Sequence, residues 1–139
     1  MEGLFLVDEC IKKKIGVVLF DFRANGYSSG KYVTLGWYEA LDLNQVCLFL
    51  KKQARAKSVA IYGRSMGASA TVLFLSYKYR KIMNQIFEKS NYEKIEWIHQ
   101  DFVDVIVLDS CFNYLKKSIH NMVESKTNKV PRWIIDLVI

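Results

Sequence analysis

The sequence predicts a doubly wound α/β fold. Three short runs are apolar almost throughout: IGVVLFDF (15–22), SVAIYG (58–63) and DVIVLDS (104–110). Runs of this length and continuity suit strands buried on both faces, as in a parallel sheet. Helical patterns lie between them, and strands alternating with helices define this fold class. Each run also ends on polar groups: Asp21, Gly63-Arg64-Ser65 and Asp109-Ser110. In open α/β sheets the ligand crevice lies at the carboxyl ends of the strands. The chain therefore gathers its chemistry-bearing residues on one sheet edge.

In chain order, the first predicted strand is 15–21. A helix follows over 37–50, where Trp37, Leu41, Leu43, Val46, Cys47 and Leu50 recur at three- and four-residue spacings. Thr34 or Gly36 can start it, and Glu39 in the first turn is favoured by the helix dipole. The second strand is 58–63. A helix over 66–80, MGASATVLFLSYKYR, begins with small residues. Residues 81–99 are more polar and read as a helix and an irregular connection. The third strand is 103–109.

A chain of 139 residues suggests one domain. Its composition is 51% hydrophobic and 14% aromatic with one proline, which argues for a packed core and against disorder. The net charge is +6. The lysines are dispersed at the borders of apolar runs, so they read as solvated helix ends rather than a nucleic-acid surface. Cys10, Cys47 and Cys111 have no paired spacing and an odd count, which predicts free thiols in a reducing compartment. The N-terminus lacks the basic region of a signal peptide, and no apolar run approaches the eighteen or so residues that span a bilayer. A cytoplasmic protein is the expectation. No clustered His/Cys set suggests a metal, and no cofactor is expected.

One motif carries chemistry. Gly63-Arg64-Ser65-Met66-Gly67 matches G-x-S-x-G. The bare pattern is a weak signal, and its context strengthens it. A nucleophilic serine of this kind sits on a sharp strained turn between a buried strand and a helix. SVAIY supplies the strand and MGASATVLF the helix. Side chains at Gly63 and Gly67 are expected to collide with neighbouring backbone across so tight a turn. The plainer alternative is an ordinary βα turn in which Ser65 caps the helix.

These residues resemble the α/β-hydrolase superfamily, and within it the serine aminopeptidase-like and ABHD-type eukaryotic hydrolases. VVLFDFRANGYSSGKYVTLGWYEALDL resembles the family's segment from its fourth strand into the next helix. The family usually reads D-x-R-G-x-G-x-S-x-G there; this chain has Asp21, Arg23, Gly26, Ser28 and Gly30, with Ala24 in place of the first glycine. VAIYGRSMGASAT is similar to the nucleophile elbow. DVIVLDSCFNYL is similar to the following strand, where the family often has D-S-P-F; Cys111 replaces the proline.

The resemblance implies a three-layer sandwich around a mostly parallel sheet. It implies a serine hydrolase of esters, thioesters or amides, with a small-molecule or acyl substrate. Ser65 is the implied nucleophile, Gly63 and Gly67 are the elbow glycines, and the Met66 N–H is one implied oxyanion donor. Asp21, Arg23 and Asp109 are read as structural, holding strand ends and loops.

The base and its acid are harder to find. The family order is Ser, then Asp or Glu, then His. Ser65, Asp109 and His120 satisfy it formally. However, the ten residues between Asp109 and His120 are too few for the helix and strand expected there. His120 lies in LKKSIHNMVESK, which reads as an exposed helix. His99 precedes a strand and so belongs at the opposite sheet edge. The family's other oxyanion donor follows an earlier strand, and MEGLFLVDECIKKK resembles the helix after that loop. The expectation is the middle of a hydrolase, incomplete at both ends and without its acid and base loops. The rival expectation is a non-catalytic binding module whose exposed sheet edges take a partner or a second copy.

Overall fold

Two of the three predicted strands pair. β1 (Val59–Arg64) and β2 (Val103–Asp109) run parallel, with Ile61 opposite Ile106 and Arg64 opposite Asp109. They belong to a computed structural model that describes residues 2–90 and 94–111. A 3₁₀ turn over Glu2–Leu6 leads into α1 (Val7–Lys12). The remaining helices are α2 (Glu39–Lys52), α3 (Met66–Leu75) and α4 (Tyr77–Lys89). The architecture is mixed α/β. Among the described residues the sheet has two strands.

The predicted strand over 15–21 is a correction: the segment forms no strand. Residues 16–21 make no backbone–backbone hydrogen bond among the described residues. A strand exists only through a neighbour some 4.8 Å away, and this segment has none there. Its apolar residues signal burial, and part of that is met without a ladder. Phe20 and Phe22 meet edge to face at 4.9 Å and pack against the core, while Ile15 and Val18 stay exposed.

The predicted helix over 66–80 is also corrected, into two. Ser76 turns to extended backbone (φ −72°, ψ 117°), and its Oγ accepts from the Tyr79 N–H at 3.3 Å. A serine hydroxyl satisfies one orphan amide of a helix start, so α4 begins anew there.

α2 starts on a buried carboxylate. Glu39 is fully buried and accepts from the Thr34 N–H at 2.8 Å, Thr34 Oγ1 at 2.6 Å and the Gly36 N–H at 2.8 Å. Thr34 Oγ1 in turn accepts from the Tyr38 N–H at 2.8 Å. Burial pushes the Glu39 carboxyl up, but the hydrogen bonds from Thr34 and Gly36 outweigh it and the net direction is down. Gly36 has φ 120°, and an added Cβ there would lie 3.1 Å from Ser69, so a glycine lets this loop approach α3.

α3 packs on β1 and against α2. The core draws on Leu41, Leu43, Cys47 and Leu48 of α2, Ile61 of β1, Phe74 of α3 and Met83 of α4. Asn44 pins the irregular 94–98 segment to α2: its Nδ2 donates to the Glu96 carbonyl at 2.7 Å and its Oδ1 accepts from the Ile98 N–H at 2.9 Å. Burial pushes the Cys47 thiol up to about 11, so it behaves as an unreactive apolar group. Among the described residues no helix is long and apolar enough to cross a membrane.

Candidate functional site

β1 ends at Arg64 and α3 begins at Met66, so Ser65 alone makes the turn between them. Its backbone stands at φ 51°, ψ −114°. An ordinary N-cap has extended backbone and a side chain accepting from the first turn. Ser65 has neither, and its side chain caps no amide of α3. A non-glycine residue in this region costs of order 1–3 kcal/mol. Two backbone hydrogen bonds and the sheet hold it there. The Ser65 N–H donates to the Asp109 carbonyl at 2.9 Å, the Ser65 carbonyl accepts from the Ser69 N–H at 3.1 Å, and β1 is fixed in the sheet.

The two motif glycines differ. A Cβ on Gly63 would lie 2.6 Å from the Gly67 carbonyl oxygen and 2.9 Å from Ala68 Cα. That is backbone with no freedom to yield, so Gly63 is required sterically. A Cβ on Gly67 would meet only Phe22, at 4.0 Å. The expected collision at Gly67 is therefore corrected: its Cβ position makes only an ordinary contact with the Phe22 ring. Met66, as the first residue of α3, has an amide with no acceptor within the helix.

Beside Ser65 lies a polar cluster around one carboxylate, Asp109, at the carboxyl edge of the sheet. Asp109 accepts from Ser110 Oγ at 2.8 Å and Tyr62 OH at 3.1 Å, and pairs with Arg64 Nε at 3.4 Å. The Ser110 hydroxyl, then the Tyr62 hydroxyl, hold its carboxyl below the usual aspartate range. Tyr62 and Arg64 were not singled out as site residues from the sequence. The signal was present: they stand two residues apart on β1, hence on one face, opposite a strand ending in aspartate. Phe5 packs edge to face on Tyr62 at 5.8 Å.

His99 does not join this edge. It is exposed and lies before β2, paired with Asp101 at 3.1 Å. β2 spans about 20 Å at 3.3 Å per residue, and Ser65 sits at the other end of it. His120 lies outside the described residues. Among the described residues no group of three His, Cys, Asp or Glu side chains is placed to hold a metal ion.

Arg23 and Asp21 belong to a separate loop. Arg23 donates to Asp42 through its N–H and Nε, all at 3.0 Å, and through Nη2 at 2.5 Å, and it lies over the Tyr38 ring at 5.2 Å. Ala24 has φ 57° and Gly26 φ 54°. An open groove of about 680 Å³ lies here, lined by Phe20, Asp21, Arg23, Tyr32, Tyr38 and Val46 among others. Ser65 is not part of its lining.

Comparison with known proteins gives one short likeness. A stretch of 59 residues, 42% of this chain, is 39% identical to the "Uncharacterized protein YqkD" of Bacillus subtilis (strain 168). The stretch spans 19% of that protein's length. No family model matches the chain, and no solved structure matches it.

Proposed function

We propose that this chain carries the nucleophile elbow of an α/β-hydrolase and that Ser65 is the nucleophile of acyl transfer. One observation carries the reading. Ser65 occupies a strained strand-to-helix turn while its side chain caps nothing. Ordinary capping does not account for a serine at φ 51°, ψ −114°. In this reading Ser65 Oγ bonds to the acyl carbon of an ester, thioester or amide. Its proton passes to a general base, and the Met66 amide binds the developing oxyanion. The alcohol, thiol or amine leaves with that proton. Water then cleaves the acyl-enzyme. In this reading the base is expected outside the described residues, with His120 and, as its acid, Asp109 the formal candidates in this chain. No cofactor is needed, and a cytoplasmic setting fits the thiols of Cys10 and Cys47.

A second reading is a binding module without catalysis. The groove beside Arg23 favours it, because its lining does not include Ser65.

The test is p-nitrophenyl ester turnover by this chain, by a longer form and by the longer form's Ser65→Ala variant. Fluorophosphonate labelling accompanies it, mapped to the modified peptide. The 139-residue chain is expected to turn over negligibly. Loss of triad members leaves only about 10³–10⁴-fold over water. The longer form is expected to be active, labelled at Ser65 and silenced by Ser65→Ala. Fast Ser65-dependent turnover by the short chain would place a base within it, His120 first. Undiminished turnover by the long Ser65→Ala variant would remove Ser65 as nucleophile.

A further inference from the structure

The loop that carries Arg23 holds an Asn-Gly pair, Asn25-Gly26, and the chain has no other. The remaining six asparagines precede glutamine, tyrosine, methionine or lysine. The pair opens a tight turn. The Ser28 N–H donates to the Asn25 carbonyl at 2.9 Å, and Gly26 stands at φ 54°. Gly26 is exposed, and Tyr27 after it is fully so.

Hydrogen bonds hold Asn25 but leave the next nitrogen open. The Asn25 N–H donates to the Phe22 carbonyl at 3.1 Å, and Asn25 Nδ2 donates to the Arg23 carbonyl at 3.0 Å. The Gly26 N–H donates to no group among the described residues. Glycine is also fixed at this position. Its φ is positive, and a Cβ there would lie 2.2 Å from Asp21 Oδ2. A side chain on residue 26 would shield its nitrogen, and the fold excludes one.

We propose that Asn25 is a site of spontaneous deamidation, converting to aspartate and isoaspartate through a cyclic imide. The Gly26 nitrogen loses its proton to solvent base and bonds to Asn25 Cγ. The Cγ–Nδ2 bond breaks, and the amide nitrogen leaves as ammonia with a proton returned from solvent. Water then opens the ring. Attack at Cγ gives aspartate. Attack at the former main-chain carbonyl carbon gives isoaspartate, in which the chain runs through Cβ and Cγ. Water is the co-reactant, and no oxidation state changes.

Both products lose the Nδ2 donor to the Arg23 carbonyl and add a negative charge to the loop. Asp21 already lies against Gly26, and the neighbouring Arg23 is paired with Asp42. Isoaspartate also takes the Asn25 carbonyl out of the main chain, and with it the acceptor that closes the turn. The modification therefore acts on the loop that shapes the groove lined by Asp21 and Arg23. The proposal is independent of whether Ser65 is a nucleophile.

Incubation of the full folded chain at neutral pH in heavy-oxygen water tests it. Brief trypsin digestion at mildly acidic pH then adds no conversion of its own. Trypsin cuts after Arg23 and Lys31 and so isolates residues 24–31 for mass spectrometry. The expected result is two new forms of that peptide, each with a hydroxyl in place of the amide nitrogen and each carrying heavy oxygen. A synthetic peptide of residues 21–30 sets the rate without the fold. Releasing the one hydrogen bond of Nδ2 slows the step by about tenfold at most. The folded chain is therefore expected to convert within about tenfold of the peptide. Asn25→Gln keeps Gly26 and is expected to abolish conversion at residue 25, because its longer side chain would have to close a larger ring. A folded chain that converts more than about tenfold slower than the peptide overturns the proposal, because the turn then protects Asn25. Faster conversion at any other asparagine overturns it equally.

Discussion

The Ser65 N–H donates to the Asp109 carbonyl at 2.9 Å, extending the β1–β2 ladder one residue past the end of β1. The bond anchors the strained turn to the neighbouring strand through main chain alone. The Asp109 side chain is thereby left to Ser110, Tyr62 and Arg64. Its carboxyl is held low first by Ser110, then by Tyr62. A carboxylate with a lowered folded-state pKa stabilises the fold above the unfolded value, and that contribution fades as pH falls through the lowered one. Carbon-13 titration of the Asp109 carboxyl is expected to show a midpoint below the ordinary aspartate range. Ser110→Ala is expected to raise that midpoint more than Tyr62→Phe does. The reverse order would mean that the tyrosine holds the charge.

Gly63 and Gly67 separate in a stability measurement. Gly63→Ala sets a methyl 2.6 Å from the Gly67 carbonyl oxygen, and forced overlap with fixed backbone costs about 3 kcal/mol or more. Gly67→Ala makes only an ordinary contact with Phe22 at ordinary helical φ and gains about 0.5–1 kcal/mol from helix propensity. Urea unfolding of both variants checks this. Equal losses would mean that the turn is crowded on both sides.

Glu39 is buried with three donors around its carboxylate. Glu39→Gln turns an amide group toward donors that need acceptors, and hydrogen bonds to a charged group are worth about 1.5–3 kcal/mol. The expected loss is about 2–3 kcal/mol on that scale. Because the folded-state pKa lies below the ordinary 4.5, wild type keeps its advantage above that value. The gap to Glu39→Gln narrows as pH falls through the lowered pKa. A gap that stays constant down to strong acid would mean that Glu39 is buried neutral.

Ala24 stands at φ 57° within the loop after Phe22. A left-handed alanine costs roughly 1–2 kcal/mol, of which glycine's extra chain entropy takes back part. Ala24→Gly is expected to raise stability by about 0.5–1 kcal/mol on those terms. A loss of stability would show the loop to be held by contacts of the Ala24 methyl.

How legible the chain was depends on the kind of signal. β1, β2 and the start of α3 were readable because an apolar run followed by small residues has few other solutions. Residues 15–22 misled because apolar content reports a need for cover, which Phe20 and Phe22 meet by packing against the core rather than through a ladder. The break at Ser76 was hidden inside a continuous helical pattern, where a single hydroxyl decides between capping and continuing. Ser65 stood out through its motif. Arg64 and Tyr62 did not, because their partner Asp109 lies more than forty residues away and only the register joins them. Asn44 was invisible for the same reason: its partners Glu96 and Ile98 are distant in sequence.

Ser65 gives the most direct test of whether the turn is held for function. Its φ of 51° with ψ of −114° is glycine territory. Its strain, of order 1–3 kcal/mol, buys no helix cap, since the side chain caps no amide of α3. Ser65→Gly removes the strain, and glycine's greater unfolded freedom offsets about 0.4–1 kcal/mol of the gain. The expected net is a stabilisation of about 1 kcal/mol on those figures. Ser65→Ala keeps the strained backbone and removes only the hydroxyl, so it is expected to fall within about 0.5 kcal/mol of wild type, as surface-like substitutions do. Thermal and urea unfolding of the three proteins measure this under one set of conditions. Glycine above both alanine and serine would identify a position where stability is given up to hold a hydroxyl in place. A marked loss in Ser65→Ala would instead give the hydroxyl a structural partner, and the nucleophile reading would lose the observation it rests on.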